Sequence, residues 1–132
     1  MTVLDASALL ALLKKEVGFK VVRSAMANAR AGKSLLYMNE INLGEVYYTI
    51  SRERTREAAR FFLYERFPLL PVIEVPSSMD MIIAAAELKA GYNLHYLDGF
   101  AAATTEMHDA ILLTADRDFE KVAARIKINW LR

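Results

Sequence analysis

The chain has 132 residues, 55% of them hydrophobic and 25% charged, with a formal net charge of +1. That length fits one domain with a real core and some apolar surface to spare for a partner, and so small a net charge leaves only a local basic patch to announce a nucleic-acid ligand. No cysteine is present, which excludes a disulfide framework, thiolate metal sites and a cysteine nucleophile and accords with a reducing cytoplasm.

The first element expected is a short buried strand, Thr2–Leu4. Asp5 follows as an N-cap candidate for the helix "ASALLALLKK". Its apolar run, Ala8 to Leu13, is far too short to span a bilayer, and no basic segment precedes it, so neither an anchor nor a signal peptide is expected. A second helix runs from Val17 to Arg30 and closes at Gly32. Ser34–Met38 reads as a strand. From Ile41 to Arg52 the stripe Leu43, Val46, Tyr47 and Ile50 has helical spacing. Thr55 to Phe67 is another helix, stopped by Pro68. Pro71–Val75 reads as a strand. Ser77 or Ser78 then caps a helix through Ala90, with Gly91 as its stop. Asp98 to Met107 is helical, "AILL" is a strand, Asp118 to Arg125 is a short helix, and Ile126–Leu131 is the final strand.

Strands alternate with helices along the whole length. This predicts βαβ units and an α/β fold of three layers, α/β/α, around a parallel sheet of four or five strands. No linker, repeat or low-complexity segment interrupts it, so residues 1–132 are expected to form one domain.

The acidic residues fall in a pattern. Asp5 follows the first strand, and Asp116 follows "AILL" after Thr114. In a parallel sheet both leave at the carboxyl edge, where open α/β sheets bind ligands. Glu45 lies roughly opposite the apolar stripe of its helix, at ~100° per residue, near Asn42 and Thr49. Asp98 begins its helix, and the small residues Ala101, Ala102 and Ala103 beside it permit close approach of another element. Taken singly, each aspartate is also a favourable helix cap, worth ~1 kcal/mol, and Glu45 alone is an ordinary solvated helix residue. Gathered at one edge they repel, and each resists ionising. A hard cation such as Mg²⁺ or Mn²⁺ removes that penalty. Thr114 could hold a carboxylate or a water by hydrogen bond.

Four stretches, "VLDASALLALL", "INLGEVYY", "YLDGFAAATTEMH" and "LLTADRDF", resemble in that order the motifs of PIN-domain ribonucleases, most nearly the VapC-type toxins of toxin–antitoxin modules. The resemblance spans nearly the whole chain. It implies that Asp5, Glu45, Asp98 and Asp116 are the catalytic and metal-binding acids, with Thr114 supporting them and Asp118 a peripheral ligand or a cap. Glu40 is a competing acid five residues before Glu45. The resemblance further implies one or two Mg²⁺ or Mn²⁺ ions, hydrolysis of RNA phosphodiesters, a homodimer, a cytoplasmic location, and a cognate antitoxin that blocks the site. RNA processing outside such a module is the alternative within the same family.

"SRERTREAARFFLYERF", Ser51 to Phe67, interleaves arginines with aromatics. Arg52, Arg54, Arg56 and Arg60 could pair with RNA phosphates, and Tyr47, Tyr48, Phe61 and Phe62 could line an antitoxin groove. The same stretch reads equally as an amphipathic helix with a solvated face. His95 and His108 lack metal-ligand spacing and are expected to be structural or surface residues. A haloacid-dehalogenase phosphatase would want an acid two residues after Asp5, where Ser7 stands. A non-catalytic PIN-like module would lack acids that are all present here.

Overall fold

A computed structural model describes residues 1–132. In chain order the elements are β1 (Thr2–Leu4), α1 (Ala6–Lys14), α2 (Phe19–Arg30), β2 (Leu36–Asn39), α3 (Glu40–Glu53), α4 (Arg56–Phe61), β3 (Ile73–Val75), α5 (Met79–Tyr92), α6 (Tyr96–Met107), β4 (Ile111–Thr114) and β5 (Lys127–Trp130). The sheet has five strands in the order β3-β2-β1-β4-β5, and every neighbouring pair is parallel.

The chain moves outward from β1 to β2 and β3, then returns to lay β4 on the other side of β1. The order therefore reverses between β1 and β4, the kind of switch point at which open parallel sheets leave a crevice beyond their carboxyl ends. Asp5 is the first residue after β1, and Asp116 stands two residues after β4.

Alternation along the strands makes the three layers. Leu4 and Leu113 face a core shared with Leu9, Val22, Met38 and Val46. Val3 and Leu112 face the opposite core, with Ala85, Leu88, Phe100 and Phe119. Helix α3 touches both α1 and α6, so it bridges the two helical layers and presents Glu45 between them.

Several boundaries differ from those expected of the sequence, each for a local reason. Helix α2 begins at Phe19 because Gly18 holds a left-handed φ of 88° as its N-cap. Helix α5 runs through Gly91, and Asn93 ends it in the left-handed region at φ 56°. The helix expected to Phe67 stops at Phe61 and continues as a π turn over Phe62–Arg66, then a 3₁₀ turn over Phe67–Leu69. The Phe67 N–H bonds the Phe62 carbonyl, which brings the two rings to 6.2 Å and buries both. An α-helix would have turned residues five apart away from each other. The last helix is a 3₁₀ segment, Arg117–Val122, capped by Asp116.

Candidate metal centre

Asp5 is 4% exposed and is held by three donors. Its Oδ1 accepts from the Ala8 N–H at 2.9 Å, which caps α1, and from Ser7 Oγ at 2.7 Å. Its Oδ2 accepts from Thr114 Oγ1 at 2.6 Å. Both hydroxyls also accept from backbone, Ser7 Oγ from the Ala115 N–H and Thr114 Oγ1 from the Asp116 N–H, each at 2.9 Å. With each hydroxyl proton directed at the carboxylate, the 3.2 Å approach of Ser7 Oγ to Thr114 Oγ1 has no proton left to share. The arrangement fixes Asp5 in one orientation and ties the exit of β1 to the exit of β4. Burial pushes the Asp5 carboxyl up to about 6; the bonds from Thr114, Ser7 and Ala8 pull against it, and the Asp116 charge adds to the rise.

Asp98 lies in the first turn of α6 and is 8% exposed. The small residues of this helix admit α5, an element of the same chain, and the approach is closest at Gly99. A Cβ there would stand 2.7 Å from the Ala85 carbonyl oxygen. Asn42 Nδ2 on α3 donates to the Leu97 carbonyl at 2.9 Å, pinning that turn from the other side. Burial pushes Asp98 up to about 7, and the charges of Asp116, Asp5, Glu45 and Asp118 push the same way. Glu45 is half-buried and is raised by desolvation and by Asp5 and Asp116. Glu40 is occupied elsewhere: its Oε1 accepts the Ser77 N–H at 2.8 Å, between β3 and α5.

Carboxylate oxygens of Asp98, Asp116 and Asp118 all lie within 4.8 Å of one another. Asp118, expected as a peripheral ligand or a cap, is thus one of the three, whereas Asp5, held in its hydroxyl cradle, and Glu45 are not among the carboxylates within that distance. The reason is the cap itself: Asp116 Oδ1 accepts the Asp118 N–H at 2.9 Å, and this tight turn brings the second carboxylate back to the first. Asp118 also meets His95 Nε2 at 3.5 Å. His95 therefore stands at the rim of the acidic cleft, which its sequence spacing gave no reason to expect. Ser7 is the other residue whose part is not apparent from sequence. A hydroxyl two residues past a capping aspartate, able to turn back on it, was the available signal.

The donor set fits a hard divalent cation. It is all oxygen, it carries several negative charges at one point, and Asp98 Oδ2 is buried without a hydrogen-bond partner. An orphaned buried carboxylate oxygen is costly unless a cation or a proton meets it.

The basic and aromatic residues of 51–67 separate into different surfaces. Phe61, Phe62 and Arg54 line a groove of about 540 Å³ together with Leu10, Leu13 and Ile50. Phe62 is 6% exposed and belongs to the core, so it forms the floor and is not a free contact; Phe61 is 56% exposed at the wall. Tyr47 lines a different depression beside Leu63 and Tyr64. Arg56 and Arg60 are exposed on α4. Tyr48 and Arg52 lie on the Glu45 side of α3, away from the groove.

Fold and site together define an open parallel α/β domain with an acidic cluster at its switch point. The sequence profile of the PIN domain matches residues 2–125, and the chain belongs to that family. Three solved structures share the fold along almost their whole length. A toxin–antitoxin complex from Klebsiella pneumoniae is 17% identical at a TM-score of 0.70, covering 100% of this chain and 98% of the other. DNA-bound VapBC from Salmonella typhimurium is 14% identical at 0.75, covering 99% and 98%. VapC20 of Mycobacterium tuberculosis, a toxin that cleaves the sarcin–ricin loop, is 19% identical at 0.67, covering 96% of each. At such identities the likeness carries the fold alone. No curated protein sequence matches the chain significantly.

Proposed function

We propose that this protein is a Mg²⁺- or Mn²⁺-dependent endoribonuclease acting as the toxin of a toxin–antitoxin pair. The observation that carries the reading is the convergence of Asp98, Asp116 and Asp118 within 4.8 Å, beside Asp5 and Glu45, around an unpartnered Asp98 oxygen. Asp5, Glu45, Asp98 and Asp116, joined by Asp118, would hold the cation. When bound, it would supply activation of water and neutralisation of charge on the phosphodiester. The chain's own part is preorganisation. Ser7 and Thr114 hold Asp5 in one rotamer, and Asn42 and Gly99 seat the turn that carries Asp98. Asp5 and Asp98 are the buried members of the set, while Glu45, Asp116 and Asp118 stay part-exposed.

The antitoxin reading rests on the groove between α1, α3 and α4, an apolar trough walled by Phe61 with Arg54 at its edge, and on the toxin–antitoxin nature of the structural neighbours. An RNA-processing nuclease of the same family would carry the same acids, and titration with a cognate antitoxin separates the two readings. A homodimer and a cytoplasmic location go with this reading. No helix is long and apolar enough to cross a membrane.

The test is cleavage of single-stranded RNA by purified protein. Mg²⁺ should support it, EDTA should stop it, and Asp98→Asn should abolish it while the fold persists. Undiminished cleavage by Asp98→Asn would refute the assignment.

A further inference from the structure

The exposed stripe of α3 continues beyond Glu45. Helical geometry, at ~100° per residue, sets Tyr48 and Arg52 within about 60° of Glu45 around the axis. Arg52 lies roughly 10 Å further along it. Tyr48 is 57% exposed and Arg52 is exposed. The two are joined: the Arg52 guanidinium carbon stands 5.0 Å from the Tyr48 ring centroid, and Arg52 Nη1 donates to the Tyr48 hydroxyl at 3.1 Å. Arg52 enters none of the ion pairs of the molecule. No carboxylate therefore pairs with it directly; its guanidinium lies over the phenol, and the side chain is exposed.

We infer that the Tyr48–Arg52 pair is the docking site for the nucleotide next to the scissile phosphate of a single-stranded RNA, Arg52 stacking under the base and pairing with a backbone phosphate while Tyr48 holds it in place. The inference rests on the nuclease reading above. Charge complementarity argues for this occupant. An acidic cleft repels a polyanion, so the strand needs a cation close to the cleft yet outside the ligand shell. An arginine already stacked on an aromatic ring loses less freedom when it binds a phosphate or a base. Base-stacking platforms beside cationic side chains are the usual equipment for single strands. The groove walled by Phe61 opens on another face of α3, through Ile50, Glu53 and Arg54, so the two surfaces are separable by mutation.

The test is fluorescence anisotropy of a labelled single-stranded RNA of mixed sequence, with Asp5→Asn as the parent so that the strand stays whole. Tyr48→Ala and Arg52→Ala should each weaken binding by about tenfold, and Tyr48→Phe should restore most of it. Arg52→Ala should also lower the slope of log affinity against log salt by ~0.7, whereas Tyr48→Ala should leave that slope alone. Arg125→Ala serves as the control. Arg125 also sits over a tyrosine ring, Tyr92, but it is paired with Glu106 near the opposite edge of the sheet, and its loss should change binding by less than about twofold. RNA bound equally by the parent, Tyr48→Ala and Arg52→Ala, while the wild type cuts it, would overturn this inference and leave the nuclease reading standing. Conversion of a dimer to monomers by either substitution would overturn it too, by assigning the pair to contact between copies. A wild type that neither binds nor cuts RNA would remove both.

Discussion

Thr114 Oγ1 donates to Asp5 Oδ2 at 2.6 Å across 109 positions of sequence, and the same oxygen accepts the Asp116 N–H at 2.9 Å. One hydroxyl thus orients the Asp5 carboxylate and fixes the backbone that carries Asp116. Thr114→Val keeps the shape and removes both bonds, leaving a buried N–H and a carboxylate oxygen unmet. The expected cost is about 1–3 kcal/mol of stability, read by urea denaturation. Mg²⁺ affinity by calorimetry should fall by ~10–100-fold, as when other groups that orient metal ligands are lost. Thr114→Ser should recover most of both. A valine variant with unaltered Mg²⁺ affinity would show that Asp5 needs no such support.

Charge relief gives a second expectation. In the metal-free protein Asp98 is opposed by Asp116, Asp5, Glu45 and Asp118. Asp98→Asn removes one of those charges and should raise the melting temperature of the metal-free protein at neutral pH. The same substitution should abolish the stabilisation that Mg²⁺ confers on the wild type. Differential scanning calorimetry with and without Mg²⁺ reads both effects, and a variant that melts lower and still responds to Mg²⁺ would contradict them.

The pH dependence follows with its sign. Folding raises Asp5 from 3.8 to about 6 and Asp98 from 3.8 to about 7, so between these limits the native state binds more protons than the unfolded one. Their contribution is most favourable below the unfolded value. It is lost as pH rises through 6 and 7, at ~1.4 kcal/mol for each pH unit that separates a carboxyl's folded and unfolded values. In EDTA, stability should decline from mildly acidic to neutral pH by more than Asp5→Asn or Asp98→Asn shows. Mg²⁺ binding should strengthen over the same interval, because the ligands must release protons. A wild type and an Asp98→Asn variant with identical pH profiles in EDTA would sink the explanation.

How much of this was legible beforehand depended on what kind of contact set each feature. Asp5 and Asp116 could be placed together from sequence because strand ends in a parallel sheet share an edge, and Glu45 could be preferred to Glu40 from helical phase. Asp118 and Ser7 could not be ranked in the same way. Their places depend on local bonds across two residues, from the Asp118 N–H to Asp116 Oδ1 and from Ser7 Oγ to Asp5 Oδ1, and helical phase and strand order do not rank residues by such turns. His95 comes to the cleft only because the loop before α6 lies beside the 3₁₀ turn after β4, a tertiary juxtaposition. The unity assumed for residues 51–67 failed for a third reason: the π turn at Phe62 rotates the aromatic register, sinking Phe62 into the core while Phe61 stays on the wall.

That rotation makes the antitoxin groove testable with one clean substitution. Phe61 is 56% exposed and Phe62 is 6% exposed, so the two truncations should fail in different ways. Phe61→Ala removes an anchor from the groove and should weaken a complex with the cognate antitoxin by more than about 2 kcal/mol. Being half outside the core, it should change folding stability by no more than about 1 kcal/mol. Phe62→Ala opens a cavity beside Phe67, with the rings now 6.2 Å apart, and should cost about 3–5 kcal/mol of folding stability. A binding loss in Phe62→Ala would then report a damaged fold and not a lost contact. Titration of each variant with the antitoxin, alongside its thermal melt and its sedimentation, separates the cases. If Phe61→Ala binds the antitoxin as the wild type does and instead sediments as a smaller species, the trough is where two copies of the chain meet and the antitoxin docks on another face.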